Sequence, residues 1–254
     1  MDVSHHINTQ SEKIAYIHIP AGKTGKEVPA VMFLGGFKSD MEGTKAIYLQ
    51  EQCQKRGQEF LRFDYTGHGI SDGAFIDGTI GKWAQDAIDI FDNIVSRDVI
   101  LVGSSMGGWI SLLLLLKRSQ HIKGVIGIAA APDFTTDIEN KMTDDQRQMV
   151  IEKDRLEVPN DYSDEPYIFT RALLEDGKAQ SLLTKTHDIN APLTLIQGKK
   201  DADVAWEKAL KIKECFQGPE TEIIFIEDGD HRLSRPEDLK KIDEHVSILS
   251  KQST

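Results

Sequence analysis

The sequence predicts an α/β fold, a mostly parallel twisted sheet flanked by helices, on three observations. Short β-branched segments alternate with longer segments of helical period. The 254 residues, 39% hydrophobic and 28% charged, are enough to bury one sizeable core. No internal repeat, low-complexity tract or linker divides the chain, so residues 1–254 are expected to form a single domain.

Strands are expected at 14–19 and 30–34, followed by a helix over 44–56. Gly57 ends that helix, because a residue without Cβ enters the left-handed conformation freely. A strand at 59–63 leads to a helix over 79–95, whose buried stripe is Trp83, Ala87, Ile88, Phe91 and Ile94. The strand at 99–102 feeds a helix over 106–117 that is apolar nearly all round and therefore belongs in the interior. After the strand at 124–129 the alternation stops. Residues 133–190 show no convincing strand but two capped helices. One opens at the capping box Thr143-Asp144-Asp145-Gln146; the other follows Ser163-Asp164-Glu165-Pro166 and stops at Gly177. A small helical cap over the strands' C-terminal edge is the expected reading of this insertion. Strands at 193–197 and 222–226 complete the sheet, with a helix from Asp203 to about Phe216 between them. A last helix spans 236–249, with Ser234 as its cap and Pro236 in the first turn, where a missing N–H costs nothing.

Composition narrows the functional classes. Acidic residues outnumber basic ones 41 to 30, a net charge of −11, and no Lys/Arg block is present to track phosphates, so nucleic acid is not an expected partner. The start, MDVSHHINTQSEK, lacks a basic stretch followed by an apolar run, and the longest apolar run, around Leu112–Leu116, is too short to span a bilayer. A cytoplasmic protein with no membrane span is expected. Cys53 and Cys215 fall in helices without metal-ligand spacing and read as reduced structural thiols; no metal or cofactor is expected.

Chemistry concentrates at VGSSMGG, residues 102–108. Gly103-Ser104-Ser105-Met106-Gly107 fits G-x-S-x-G with a strand before it and a helix after it, the context in which this pattern marks a nucleophile elbow. Ser105, between glycines that let the chain turn at once, would stand out of the turn. A plain glycine turn or a phosphate loop could use similar residues, but the Walker lysine and the G-x-G-x-x-G spacing are both missing.

Serine needs a base, usually a histidine oriented by a carboxylate. Asp201 and His231 follow consecutive predicted strands, at the edge where Ser105 emerges and in the order Ser, acid, His. Asp203, Asp228 and Asp230 are the rival acids; Asp203 suits a helix cap, and the other two lie too close to His231 in the chain. His5 and His6 fall in a floppy start, and His18, His121, His187 and His245 read as surface or packing residues. His68, between glycines in FDYTGHGISDG, reads as structural. The N–H of Met106 and that of Phe37, in the loop after strand 30–34, are candidate oxyanion donors. Trp109, Phe134, Met142, Met149, Phe169 and Trp206, with Phe37, are candidates to line a pocket, although each could equally be core.

Together LGGF, RFDYTGHGISDG, VGSSMGGW, QGKKDADVAW and DGDHR, in that order, resemble the serine α/β-hydrolases over nearly the whole chain. More narrowly, GGFKSDMEGTKA, TIGKWAQD and LVGSSMGGWISLL resemble the family of the mitochondrial palmitoyl-protein thioesterase, also described as a mycophenolic acid acyl-glucuronide esterase, and its bacterial relatives. The resemblance implies the α/β-hydrolase fold and cleavage of O-acyl or S-acyl bonds by Ser105, Asp201 and His231. It also implies acyl esters or acyl thioesters as substrates, S-acylated protein among them. Departures fall at Gly35, Gln197 and Ala205, where many hydrolases carry His, His and Pro. A serine peptidase of the same fold and a noncatalytic binding protein are the rival readings. Epoxide hydrolase and dehalogenase chemistry are disfavoured, because those relatives carry Asp at the elbow.

Overall fold

The computed structural model describes residues 2–23, 25–95, 97–159 and 166–252. Its first two strands, β1 (Ser4–Ile7) and β2 (Lys13–Ile19), pair antiparallel, with Ser4 opposite Tyr16. Asn8 makes the turn between them, its Oδ1 accepting the N–H groups of Gln10 and Glu12 at 3.0 and 2.9 Å. His5 and His6, expected in a floppy start, are therefore strand residues. Polar side chains at an exposed sheet edge leave no apolar alternation to read.

The alternating part follows: β3 (Ala30–Leu34), α1 (Thr44–Arg56), β4 (Phe60–Phe63), α2 (Ile80–Ile94), β5 (Val99–Ser104), α3 (Met106–Arg118) and β6 (Ile122–Ile128). Gly57 ends α1 in the left-handed conformation, φ 68°, and Thr79 caps α2. An insertion comes next: α4 (Phe134–Lys141), α5 (Asp144–Lys153), β7 (Arg155–Val158), β8 (Tyr167–Thr170), α6 (Arg171–Ala179) and the two-residue strand β9 (His187–Asp188). The chain closes with β10 (Leu193–Gly198), α7 (Glu207–Cys215), β11 (Phe216–Gln217, paired with β9), β12 (Thr221–Ile226) and α8 (Pro236–Gln252).

The main sheet has eight strands in the order β1-β2-β4-β3-β5-β6-β10-β12, parallel from β4 onward. Each strand divides its side chains with period two. Met32, Leu34, Leu101, Val125 and Leu195 meet Trp83 and Phe91 of α2 and Trp109 of α3 on one face. Val31, Phe33, Ile100, Val102, Ile126 and Ile196 meet Leu49 of α1 and Val246 of α8 on the other. From β3 the chain crosses through α1 to β4 on one side, whereas β5 lies on the other side of β3. The strand order thus reverses between β3 and β5, opening a crevice outside their C-terminal ends.

Four expectations are corrected. The insertion is not all helical, because β7 and β8 form an antiparallel hairpin, Leu156 opposite Phe169. Each strand is only four residues long and the Tyr-Ile-Phe-Thr run has no alternation, so periodicity could not reveal it. Ser163, Asp164 and Glu165 lie outside the described residues; the helix near Gly177 is α6, opened by Thr170, whose hydroxyl accepts the Leu173 N–H at 3.1 Å. Helix α7 begins at Glu207 rather than Asp203, and the N–H of Asp203 is bound to the Asp201 carboxylate at 2.9 Å. Nor does Ser234 cap α8: its hydroxyl donates to the Arg232 carbonyl, and the Arg235 N–H is accepted by Asp238 instead.

One buried carboxylate ties the first hairpin to the loop after β4. Asp86 of α2, 1% exposed, accepts from the Asn8 side chain at 2.8 Å and from the N–H and hydroxyl of Thr66 at 2.9 and 2.8 Å. Asp86→Ala strands three buried donors and should lower the free energy of unfolding by about 2–4 kcal/mol in urea titrations, whereas an exposed control such as Asp144→Ala should shift it by less than about 0.5 kcal/mol.

Candidate active site

The site starts from the elbow between β5 and α3. Ser105 has φ 54° and ψ −116°, a backbone conformation that costs a non-glycine residue about 1–3 kcal/mol. It persists because the Ser105 N–H donates to the Ile128 carbonyl, while the Ser105 carbonyl accepts from Gly108 and Ala131. Glycine is required on both sides: a Cβ on Gly107 would stand 2.0 Å from the Leu34 carbonyl oxygen, and one on Gly103 would stand 2.3 Å from that of Gly107.

The hydroxyl of Ser105 meets the imidazole of His231, Oγ to Nε2 3.2 Å, and Nδ1 of His231 lies 2.8 Å from Oδ2 of Asp201. The carboxylate accepts a hydrogen bond from Nδ1–H and so keeps the proton on that nitrogen, leaving Nε2 to accept from serine. Asp201, whose side chain is fully buried, also accepts from Gln197 Nε2 at 3.0 Å and from the N–H groups of Asp203 and Val204 at 2.9 and 2.8 Å. Burial is the largest single influence and pushes its pKa up. The His231 bond and charge, with the two backbone N–H groups, together outweigh burial and hold the carboxyl below its ordinary value. Asp201, Asp203 and His231 also bring ligand-type atoms within 4.8 Å of one another. Of the Asp201 oxygens, Oδ2 is already engaged by the imidazole and Oδ1 by the N–H groups of Asp203 and Val204.

The rival acids are committed elsewhere: Asp228 to Arg235 at 2.6 Å, and Asp230 to the Leu233 N–H at 2.9 Å. His18 pairs with Glu59, and His187 stacks on Phe216. Phe37 and Met106 flank the serine. Met106 is the first residue of α3, and Gly36, just before Phe37, approaches so closely that a Cβ there would lie 3.5 Å from that of Ser105.

A cavity of about 970 Å³ opens beside these groups. Phe37, Phe134, Met142 and Phe169 line it, together with Tyr167, Leu156 and Val158, which sequence alone did not single out. Trp109, Met149 and Trp206 do not line it. Trp109 is fully buried and donates to the Gln180 carbonyl, Met149 is 40% exposed on α5, and Trp206 packs edge-on against Phe225. Two further groups support the site: Gln197, which the sequence marks as a departure from the usual His, and Lys45, which escaped the sequence reading. Gln197 holds Asp201, and Lys45 of α1 donates to the carbonyl of Arg232, the residue after His231, at 2.5 Å. Burial, reinforced by the Arg232 charge, pushes the Lys45 ammonium down to about 8. The Lys45 contact was not legible because a side chain's partner 187 positions away leaves no local pattern.

Residues 26–156 match the family model described as serine aminopeptidase, S33. The chain is 32% identical over 234 residues, 90% of its length and 77% of the relative's, to the mouse mitochondrial palmitoyl-protein thioesterase ABHD10. A solved structure of mouse alpha/beta hydrolase domain-containing protein 10 superimposes with a TM-score of 0.89 at 29% identity, over 98% of this chain and 100% of that one. A crystal structure from Agrobacterium vitis S4 does so with a TM-score of 0.93 at 37% identity, again over 98% and 100%. Among the described residues no helix is long and apolar enough to cross a membrane.

Beside the site, His68 is buried among Tyr65, Phe75 and Trp83. Burial pushes its pKa from 6.5 down to about 4, against a smaller opposing effect of its bond to the Thr66 carbonyl. The unfolded chain therefore takes up this proton first, so the stability that neutral His68 contributes is complete above pH 6.5 and is lost as pH falls toward 4. In urea unfolding, the stability advantage of wild type over His68→Gln should shrink by up to about 3 kcal/mol across that window. A constant difference would contradict the burial argument.

Proposed function

This chain belongs to the α/β-hydrolase family that includes ABHD10, and we propose that it is a serine hydrolase of carboxylic esters or thioesters acting through an acyl-enzyme. The observation that carries the reading is the continuous chain from Ser105 Oγ through His231 to Asp201, 3.2 and 2.8 Å, at the wall of a cavity with an aromatic lining. In the first step Ser105 Oγ attacks the acyl carbonyl while His231 Nε2 takes the hydroxyl proton, and Asp201 stabilises the imidazolium. The N–H groups of Phe37 and Met106 receive the negative charge that develops on the carbonyl oxygen. Collapse of the tetrahedral intermediate expels the alcohol or thiol, which takes the proton from His231. Water, deprotonated by the same nitrogen, then releases the acid and restores serine.

Residues 133–190 act in this reading as a cap: Phe134, Met142, Tyr167 and Phe169 supply one wall of the cavity for the acyl chain. The name of the mouse relative supports thioesters, S-acylated protein among them, as one substrate class. The family model's description favours a second reading, a peptidase using the same three residues. The mammalian relatives are named as mitochondrial, so the cytoplasmic location proposed for this chain calls for cell fractionation.

A fluorophosphonate probe should label the wild type, and Ser105→Ala, with an unchanged circular dichroism spectrum, should abolish labelling; an unlabelled wild type would refute the serine nucleophile and favour a binding protein. Asp201→Asn should reduce kcat by about 10⁴-fold with the fold retained, because it removes the acceptor for the Nδ1 proton. Acyl thioesters and p-nitrophenyl esters of graded chain length should be turned over faster than aminoacyl amides, and the reverse order would select the peptidase.

A further inference from the structure

The segment RFDYTGHG, residues 62–69, contains no member of the Ser105–His231–Asp201 chain, yet its side chains converge on one place. Tyr65 donates to the Gly35 carbonyl at 3.4 Å, His68 Nε2 accepts the Lys38 N–H at 3.2 Å, and Asp64 accepts the Met41 N–H at 2.6 Å. Arg62 donates to the Met41 carbonyl at 2.5 Å. All four contacts fall on the loop after β3, the loop that carries Phe37. The loop after β4 is thus the template on which the loop after β3 is held.

Within this set the His68 contact is the informative one. It alone falls on the peptide unit that follows Phe37, and Lys38 there has φ 56°, the left-handed region that costs a lysine free energy unless its surroundings hold it. The imidazole is equally constrained. Nδ1 lies 3.2 Å from the Thr66 carbonyl, which can only accept, and Nε2 faces a backbone N–H, which can only donate. Both contacts are made only when Nδ1 carries the proton and Nε2 carries none. The carbonyl that fixes this tautomer is itself held, since it also accepts the Trp83 indole N–H at 3.0 Å, while the N–H of Thr66 is bound to Asp86.

We propose that His68 is a positioning residue: as the Nδ1–H tautomer it fixes the Phe37–Lys38 peptide, and so aims the Phe37 N–H at the oxyanion. This rests on the serine-hydrolase reading, in which that N–H is a donor. His68 does not line the cavity, and its hydrogen bonds run to Lys38 and Thr66 rather than to Ser105, His231 or Asp201. Its effect is confined to the transition state, because the ground-state carbonyl makes less use of the donor than the oxyanion does.

Steady-state kinetics on a p-nitrophenyl ester, with the affinity of an alkyl boronic acid as the tetrahedral mimic, tests this in wild type, His68→Leu and His68→Gln. The glutamine carbonyl can reach the acceptor position of Nε2; leucine cannot accept. In His68→Leu, kcat should fall at least about tenfold with KM within about twofold, boronate affinity should fall in proportion, and His68→Gln should recover most of both. Equal losses in the two variants, a loss confined to KM, or an unchanged kcat in His68→Leu would overturn the proposal while leaving the triad reading intact. Failure of wild type to react with a fluorophosphonate removes the underlying reading and this proposal with it. A measurement that needs no variant is the ¹H–¹⁵N spectrum of the histidine rings in wild type: the His68 ring should carry its proton on Nδ1, and a proton on Nε2 overturns the assignment.

Discussion

The site depends on how closely the end of β3 approaches the start of α3. Leu34 stands opposite Gly103 in the parallel register, and the Gly107 backbone passes beneath the Leu34 carbonyl with no space for a methyl group. That approach forces the turn at Ser105, and backbone hydrogen bonds to the Ile128 carbonyl and from the N–H groups of Gly108 and Ala131 hold the residue in its unfavourable conformation. The same register sends the loop after β3 and the elbow after β5 out of one edge, at the point where strand order reverses. Because β10 and β12 run parallel to β6, the loops bearing Asp201 and His231 leave that edge too. Convergence of residues 126 positions apart is therefore a property of sheet topology, with the side chains supplying the last few ångströms.

Electrostatics complete what topology begins. A fully buried carboxylate is costly unless its oxygens are bound, and Asp201 has donors on both: His231 and Gln197 on Oδ2, Asp203 and Val204 on Oδ1. The side chain of His231 is 18% exposed, so along the chain from acid to serine the groups pass from a dry, fixed end to one that solvent and substrate can reach. The loop beyond the imidazole is held in turn by Lys45 at the Arg232 carbonyl and by Asp230 at the Leu233 N–H. The geometry of Ser105, His231 and Asp201 is thus held from the β10 side and from the α1 side at once.

The sheet and its main helices were legible because burial on both faces leaves strong local marks: apolar strands, a stripe on α2, a wholly apolar α3. Ser105, Asp201 and His231 could be singled out because each directly follows a strand, and the structure brings them together. What was lost has a common physical character. The β1 edge strand is polar, the β7–β8 hairpin is too short for a period, and the start of α7 is displaced because the Asp203 N–H is claimed by Asp201. Pocket residues were the least legible. Trp109, Met149 and Trp206 carry the same residue chemistry as true lining residues, and only packing separates them: the first is core, the second faces solvent, and the third lies against β12. Lys45 and His68 act through contacts with distant backbone groups that no sequence spacing encodes.

Phe37 joins the two halves of the proposed function. Its N–H belongs to the loop beside the elbow, whereas its ring sits among Phe75, Trp83, Phe134, Tyr167 and Phe169, with centroid separations from 4.8 to 5.9 Å. Three of those neighbours, Phe134, Tyr167 and Phe169, belong to the insertion between β6 and β10 and line the cavity. In the proposed function one residue thus faces the acyl chain with its side chain and the reacting carbonyl with its backbone. Repacking the insertion to fit a different acyl group would then move the ring, and strain carried through its Cα–Cβ bond would reach the peptide proposed to stabilise charge. The contacts from Tyr65, His68 and Asp64 oppose that coupling by holding the backbone of the same loop. A cavity wall can then vary while the donor stays aimed, which is how one set of reacting groups could serve substrates of different shape without losing its transition-state geometry.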